Sequence, residues 1–142
     1  MNMSYNVLIV DDSKTMRQVI KKALSLSGFK IGECLEAGNG REALEVLAGS
    51  WVDLILSDIH MPEMDGFGLL QALKEDSCWR DLPVVMITTE ANEERLQKAL
   101  ALGARGYIRK PFTPENIRSF LSRVMGDRDE APTVDNDEGC DF

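Results

Sequence analysis

The chain has 142 residues, 44% of them hydrophobic, and its 24 acidic against 16 basic side chains give a net charge of −8 and a pI of about 4.7. This size and apolar content suit one domain that buries roughly two-thirds of its unfolded surface, which excludes a chain disordered throughout and a disulfide-held scaffold. The acidity argues against duplex nucleic acid as a partner, because neutralising phosphates takes clustered Lys and Arg.

The first apolar run, Val7 to Val10, does not alternate with polar residues, the pattern of a strand in a parallel sheet covered on both faces. Ser13 then suits an N-cap, and Met16, Val19, Ile20, Ala23 and Leu24 recur at helical spacing with Arg17, Lys21 and Lys22 facing out, until Gly28 stops the helix. A weaker strand, Ile31 to Ala37, precedes a helix over Arg41 to Ala48 that carries Ala43, Leu44 and Leu47 inward and ends near Gly49. Leu54 to Leu56 is the third strand, followed by a helix from about Gly66 to Lys74. Val84 to Ile87 is the fourth, with a helix over Asn92 to Leu102 before Gly103. The fifth strand, Gly106 to Arg109, leads to a helix over Thr113 to Met125, with Thr113 as cap and Pro114 at the first helical position.

Beyond that helix, residues 127–142 hold seven acids, one base (Arg128) and few apolar groups, so six of the eight net negative charges sit in a segment expected to be a solvated, disordered tail. A partner-binding role for Cys140 and Phe142 is the sharper alternative. Cys34, Cys78 and Cys140 are odd in number and lack metal-ligand spacing, which fits reduced thiols and no zinc site. No basic-then-apolar leader opens the sequence and no stretch approaches 18 apolar residues, so a soluble cytoplasmic protein is expected.

Strands alternating with helices five times demand right-handed crossovers and a parallel sheet with helices on both sides. In such sheets ligands bind outside the carboxyl ends of the strands. Asp11 and Asp12, Asp58, Thr88 and Lys110 each follow or end a strand and are therefore expected on one rim. Three carboxylates there repel one another unless positive charge compensates them, and oxygen ligands with room for water suit Mg²⁺. A carboxylate held near such an ion and a lysine is a competent nucleophile toward phosphorus. Asp58 is the best candidate, with Asp11 and Asp12 holding the metal, Lys110 supplying the opposing charge and the Thr88 hydroxyl donating to a phosphoryl oxygen.

Four stretches, VLIVDDSKTMRQVI, LILSDIHMPEMDGFGLL, VVMITTE and GYIRKPF, carry a resemblance in order and spacing. Over residues 5 to 125 the sequence resembles the receiver domain of two-component response regulators, most of all the stand-alone chemotaxis type. The resemblance implies a flavodoxin-like α/β fold with strand order 2-1-3-4-5 and a receiver domain over residues 1–126, which the acidic tail read above from its composition, residues 127–142, would follow. It implies Asp58 as phosphoacceptor from the phosphohistidine of a sensor histidine kinase, and Mg²⁺ bound by Asp12, Asp58 and the His60 backbone carbonyl, with Asp11 acting through water. Thr88 and Tyr107 would be the switch pair, and the Lys110–Pro111 bond would be cis. The signal would appear on the surface made by the fourth helix, fifth strand and fifth helix, where a downstream protein binds. The expected product is a monomeric phosphoacceptor signalling protein, not an enzyme toward other substrates, whose partners include the kinase, the target and a phosphatase but neither nucleic acid nor membrane.

The chain departs from the chemotaxis type at three places. His60, its one histidine, stands two residues past the acceptor where Asn is common, and either contributes only its backbone or makes loss of the phosphoryl group pH-dependent by positioning water. Thr89 suits donor access, and Glu90 either reaches the same rim as His60 or is a solvated helix-start acid. Asn92 and Glu93 replace basic residues at the start of the fourth helix, which counts against flagellar-motor binding. Leu96, Leu100, Tyr107 and Phe120 form a candidate docking patch, although Phe120 also fits core spacing with Ile117, Leu121 and Val124. Arg95, Lys98, Arg105 and Arg109 either flank an acidic partner or solvate that face.

Competing readings are a phosphorelay intermediate, an aspartyl-nucleophile phosphatase and a flavin binder. The phosphatase wants an acid where His60 stands, and the flavin binder a phosphate-cradling loop where Asp11 and Asp12 would repel phosphate. With no DNA-binding segment after residue 125, output by protein contact or onward transfer is expected.

Overall fold

The computed structural model describes residues 4–125, so the expectation of a disordered acidic tail lies outside the described residues. Five parallel strands alternate with five helices: β1 (Tyr5–Val10), α1 (Lys14–Ser27), β2 (Ile31–Ala37), α2 (Gly40–Gly49), β3 (Leu54–Ser57), α3 (Gly66–Lys74), β4 (Val84–Thr88), α4 (Glu93–Ala101), β5 (Gly106–Arg109) and α5 (Pro114–Met125). The strand order is β2-β1-β3-β4-β5, as the resemblance implied.

Local chemistry starts each helix. The side chains of Ser13, Asn39, Asp65 and Asn92 each accept a bond from a backbone N–H in the first turn of α1, α2, α3 and α4, and Thr113 Oγ accepts from Asn116 N at 3.1 Å at the start of α5. Gly28 ends α1 at φ +85°, a conformation that only glycine adopts without steric cost. The elements match the sequence reading to within two residues, the largest difference being the start of β1 at Tyr5.

Both faces of the sheet are covered. Leu8, Val10, Ile55 and Met86 pack with Ala43, Leu47, Leu69, Leu73, Leu96 and Ala99 of α2, α3 and α4. Their neighbours Val7, Ile9, Leu54, Leu56, Val85 and Ile87 point the other way, against Ile20 and Leu24 of α1 and Ile117, Phe120 and Leu121 of α5. The absence of alternation in β1, β3 and β4 thus has its expected cause.

Val19 corrects the reading of α1: it is 46% exposed. At about 100° per residue it lies beyond the edge of the stripe that Ile20, Ala23, Leu24 and Ser27 bury, so hydrophobicity alone misassigned it. Arg17 and Lys21 were expected in solvent but reach Glu36 of β2, with Arg17 Nε 2.8 Å from Oε1 and Lys21 Nζ 3.0 Å from Oε2. The Arg17 bond foremost, and then Lys21, hold the Glu36 carboxyl below its ordinary pKa despite partial desolvation.

A carboxyl whose pKa is lowered in the folded state stabilises the fold above the ordinary carboxylate range and loses that contribution as pH falls through its folded value. Glu36→Gln should therefore lower stability by about 1 kcal/mol at neutral pH. In urea melts across pH, the gap to wild type should close as pH drops below about 4.

Candidate functional site

Register brings the acidic strand ends level. Val10 of β1 pairs with Ser57 of β3, and Asp58 N donates to Val10 O at 2.9 Å, so Asp58 lies beside Asp11 and Asp12. Asp11 N donates to Ala37 O of β2 at 3.0 Å, which holds its backbone from the other side. Across the sheet, Thr88 pairs with Arg109 and Lys110 N donates to Thr88 O at 2.9 Å, so Lys110 leaves β5 at the same height. The Lys110–Pro111 bond is cis, as expected.

The side chains converge. Ligand oxygens of Asp11, Asp12 and Asp58 all lie within 4.8 Å of one another. Lys110 Nζ stands 3.0 Å from Asp11 Oδ2 and 3.3 Å from Asp58 Oδ2, with its side chain only 10% exposed. The other carboxylate oxygens are positioned by backbone: Asp11 Oδ1 accepts from Ser13 N at 2.9 Å, and Asp58 Oδ1 from Ile59 N at 2.7 Å. Asp11 is buried and Asp12 exposed, so the cluster has one wet side. An all-oxygen donor set with access to water is the kind a hard divalent cation accepts, and the residues present therefore fit Mg²⁺.

Three supports were not legible beforehand. Arg17 Nη1 donates to the Asp11 carbonyl at 2.6 Å, tying the rim to the Glu36 network. Ser57 Oγ donates to the Asp58 carbonyl at 2.8 Å. At Gly66 a Cβ would stand 2.5 Å from that same carbonyl and 2.9 Å from Ile59 Cα, so only glycine lets α3 begin directly beneath Asp58. The Gly66 position in the sequence signalled a turn; the close approach depends on tertiary packing.

Around the mouth, His60 and Glu90 come together: His60 Nε2 is 2.6 Å from Glu90 Oε1, and Arg95 Nη1 lies 3.8 Å from the same oxygen. Glu90 Oε2 accepts from Asn92 N at 2.8 Å, and that bond, followed by the one to His60, lowers its pKa and keeps it ionised. Of the two alternatives for Glu90, the structure has the rim contact. Glu90 N donates to Thr88 Oγ1 at 3.1 Å, so the fully buried Thr88 hydroxyl is already engaged as an acceptor. Thr89 is exposed beside it.

Tyr107 pairs with Met86 and packs half-buried against the same core, on the sheet face from which Thr88 also projects. Leu96, offered as part of a docking patch, is fully buried and belongs to the core, because α4 turns that side onto the sheet. Phe120 is buried too, as its spacing with Ile117 and Leu121 suggested, yet its ring still borders a groove with Leu100, Tyr107 and Val124. Among the described residues no helix is long and apolar enough to cross a membrane.

Comparison with known proteins gives one consistent result. The family model described as the response regulator receiver domain matches residues 7–122. The chain is 41% identical over 124 residues to the chemotaxis protein CheY1 of Helicobacter pylori, covering 87% of this chain and 98% of that protein. A chemotaxis protein CheY homolog of Campylobacter jejuni is 38% identical over 121 residues, with 84% and 92% covered. Among solved structures, the chemotaxis response regulator CheY4 of Vibrio cholerae aligns with a TM-score of 0.76 at 38% identity, over 86% of this chain and 99% of that one.

Proposed function

The chain belongs to the response regulator receiver domain family, and from that premise we propose that Asp58 accepts a phosphoryl group from the phosphohistidine of a sensor histidine kinase and that the modified domain signals by protein contact, in chemotaxis-type signalling in the cytoplasm. The receiver unit spans residues 1–126 in this reading, with residues 127–142 as an appended acidic segment. The observation that carries it is the Asp58 carboxylate, 3.3 Å from the Lys110 ammonium and clustered with Asp11 and Asp12.

An Asp58 oxygen attacks phosphorus, the P–N bond breaks, and the imidazole leaves with the bonding pair; the aspartyl side chain becomes an acyl phosphate. Asp12, Asp58 and the His60 carbonyl would hold Mg²⁺, with Asp11 through water, and the bound ion would neutralise charge on the transferring oxygens. Lys110 is positioned to follow the oxygen that carries new charge, and Thr88 to donate its hydroxyl proton to another once it gives up its present place beside Glu90 N.

Charge-assisted hydrogen bonds contribute about 1.5 to 3 kcal/mol each, so two of them approach the roughly 5.5 kcal/mol that takes a two-state population from 1:99 to 99:1. Thr88 moving toward the phosphoryl group would vacate volume for Tyr107 to turn inward and alter the face formed by α4, β5 and α5. The His60–Glu90 pair, standing over the same mouth, would limit the approach of the water that removes the phosphoryl group.

Three measurements test this reading. With acetyl phosphate and Mg²⁺, wild type should gain the mass of one phosphoryl group and Asp58→Asn none; a fully labelled Asp58→Asn would overturn the assignment of the acceptor. Thr88→Ala should label as wild type does, yet the phosphorylation-dependent shift of the Tyr107 ring resonances should be mostly lost. His60→Asn should lose its phosphoryl group faster than wild type at fixed pH, and an unchanged rate would remove the pair from the reading.

A further inference from the structure

At the end of the sheet away from the acidic rim, a groove runs between the end of α4, the start of β5 and the last turns of α5, lined by Leu100, Arg105, Tyr107, Phe120, Arg123 and Val124. Among the described residues, the two charged ones that line it are both arginines and no acid does. Arg123 lies over the Phe120 ring at 5.2 Å, and Arg105 Nη2 donates to the Asp81 carbonyl at 3.2 Å, so both guanidiniums are anchored beside the apolar floor. Both side chains are exposed.

The chain leaves α5 at this place: Met125, the last residue of α5, directly follows Val124 of the groove wall. Residues 127–142 then supply seven carboxylates against one base, with Phe142 as their one aromatic side chain. We propose that this segment folds back into the groove, its carboxylates against Arg105 and Arg123 and Phe142 on the apolar floor, so that the chain covers part of its own α4–β5–α5 face.

The opposed charges and the short tether both favour this occupant. Sixteen extended residues reach on the order of 50 Å, more than the groove requires, and a tether of this length gives an effective concentration on the order of mM. An intrinsic Kd of about 1 mM therefore keeps the groove occupied about half the time, while a partner of higher affinity still displaces the segment. That the covered face is an output face rests on the reading above; the docking itself does not.

The test uses the full chain with Cys78→Ser and a nitroxide on Cys140. The Cys34 thiol, whose pKa is raised by burial, stays in place, and the same chain with Cys140→Ser supplies the background. At about 10 mM salt the amide signals of Leu100, Tyr107 and Val124 should lose most of their intensity, while those of Ser50 and Trp51 keep theirs. At about 1 M, where the screening length falls from roughly 30 Å to 3 Å, the loss should vanish. Arg105→Glu combined with Arg123→Glu should abolish it at low salt, with the rest of the spectrum unchanged.

Uniform faint broadening, broadening centred on another surface, or a salt-independent effect would each overturn the proposal. Acetyl phosphate labelling of the same samples separates the two readings. Normal Asp58 labelling without groove broadening rejects the docking alone, and groove broadening without labelling rejects the phosphoacceptor reading alone.

Discussion

The rest of the site depends on one ammonium held between two carboxylates. Lys110 lies within hydrogen-bonding reach of both Asp11 and Asp58, nearly enclosed, in a cluster that contains a third acid, Asp12. One positive charge cannot balance three negative ones, and like charges this close repel one another. The two charges left over match a divalent cation, and the exposed position of Asp12 gives such an ion access to water. This balance requires the ends of β1, β3 and β5 to finish at one height, which the pairing of Val10 with Ser57 and of Thr88 with Arg109 provides.

The same strand ends link the rim to the far surface. Thr88 terminates β4 fully buried, its carbonyl accepting from Lys110 N and its hydroxyl accepting from Glu90 N. Glu90 in turn accepts from Asn92 N, and Asn92 caps α4. A displacement of Thr88 toward the acidic cluster would therefore disturb the start of α4 and the space beside Tyr107 together. Asp58, by contrast, is fixed on every side: Val10 O takes its N–H, Ser57 Oγ donates to its carbonyl, and Gly66 leaves no room beneath it. On the reading proposed above, Asp58 would be the stationary partner and the β4 end the adjustable one.

Strand identity, helix starts and the convergence of the five rim residues were legible in the sequence because each has a local cause: an apolar run, a capping side chain, or a polar residue directly after a strand. The strand order came from the resemblance, since no local pattern distinguishes which neighbour a parallel strand takes. Arg17, read as solvent-facing, is half-buried against Glu36 and the Asp11 carbonyl; helical spacing reports a direction from the axis and not the length of a side chain that bends back onto the sheet. The meeting of His60 with Glu90 was open for the same reason, because thirty residues separate them and only the fold determines the distance. The expectations for Val19 and Leu96 erred in opposite directions: Val19 lies beyond the edge of the buried stripe of α1, whereas Leu96 is fully buried with Ala99 on the side of α4 that packs on the sheet.

The charge environment differs between the two ends of β5, and the proposed docking of the acidic segment depends on that difference. Lys110 at its carboxyl end is already committed to two aspartates, whereas Arg105 just before its amino end stands beside an apolar groove together with Arg123. Four residues of strand separate the two ends by roughly 13 Å, more than the screening length of about 8 Å at physiological salt. Repulsion from the acidic rim is thus strongly damped at the groove, while attraction of a docked carboxylate to the arginines would act at contact distance. On the docking proposed above, the acidic segment would meet the basic end first, and a phosphoryl group at the rim, lying beyond the screening length, would act on the groove through Thr88 and Tyr107 and not through direct electrostatics.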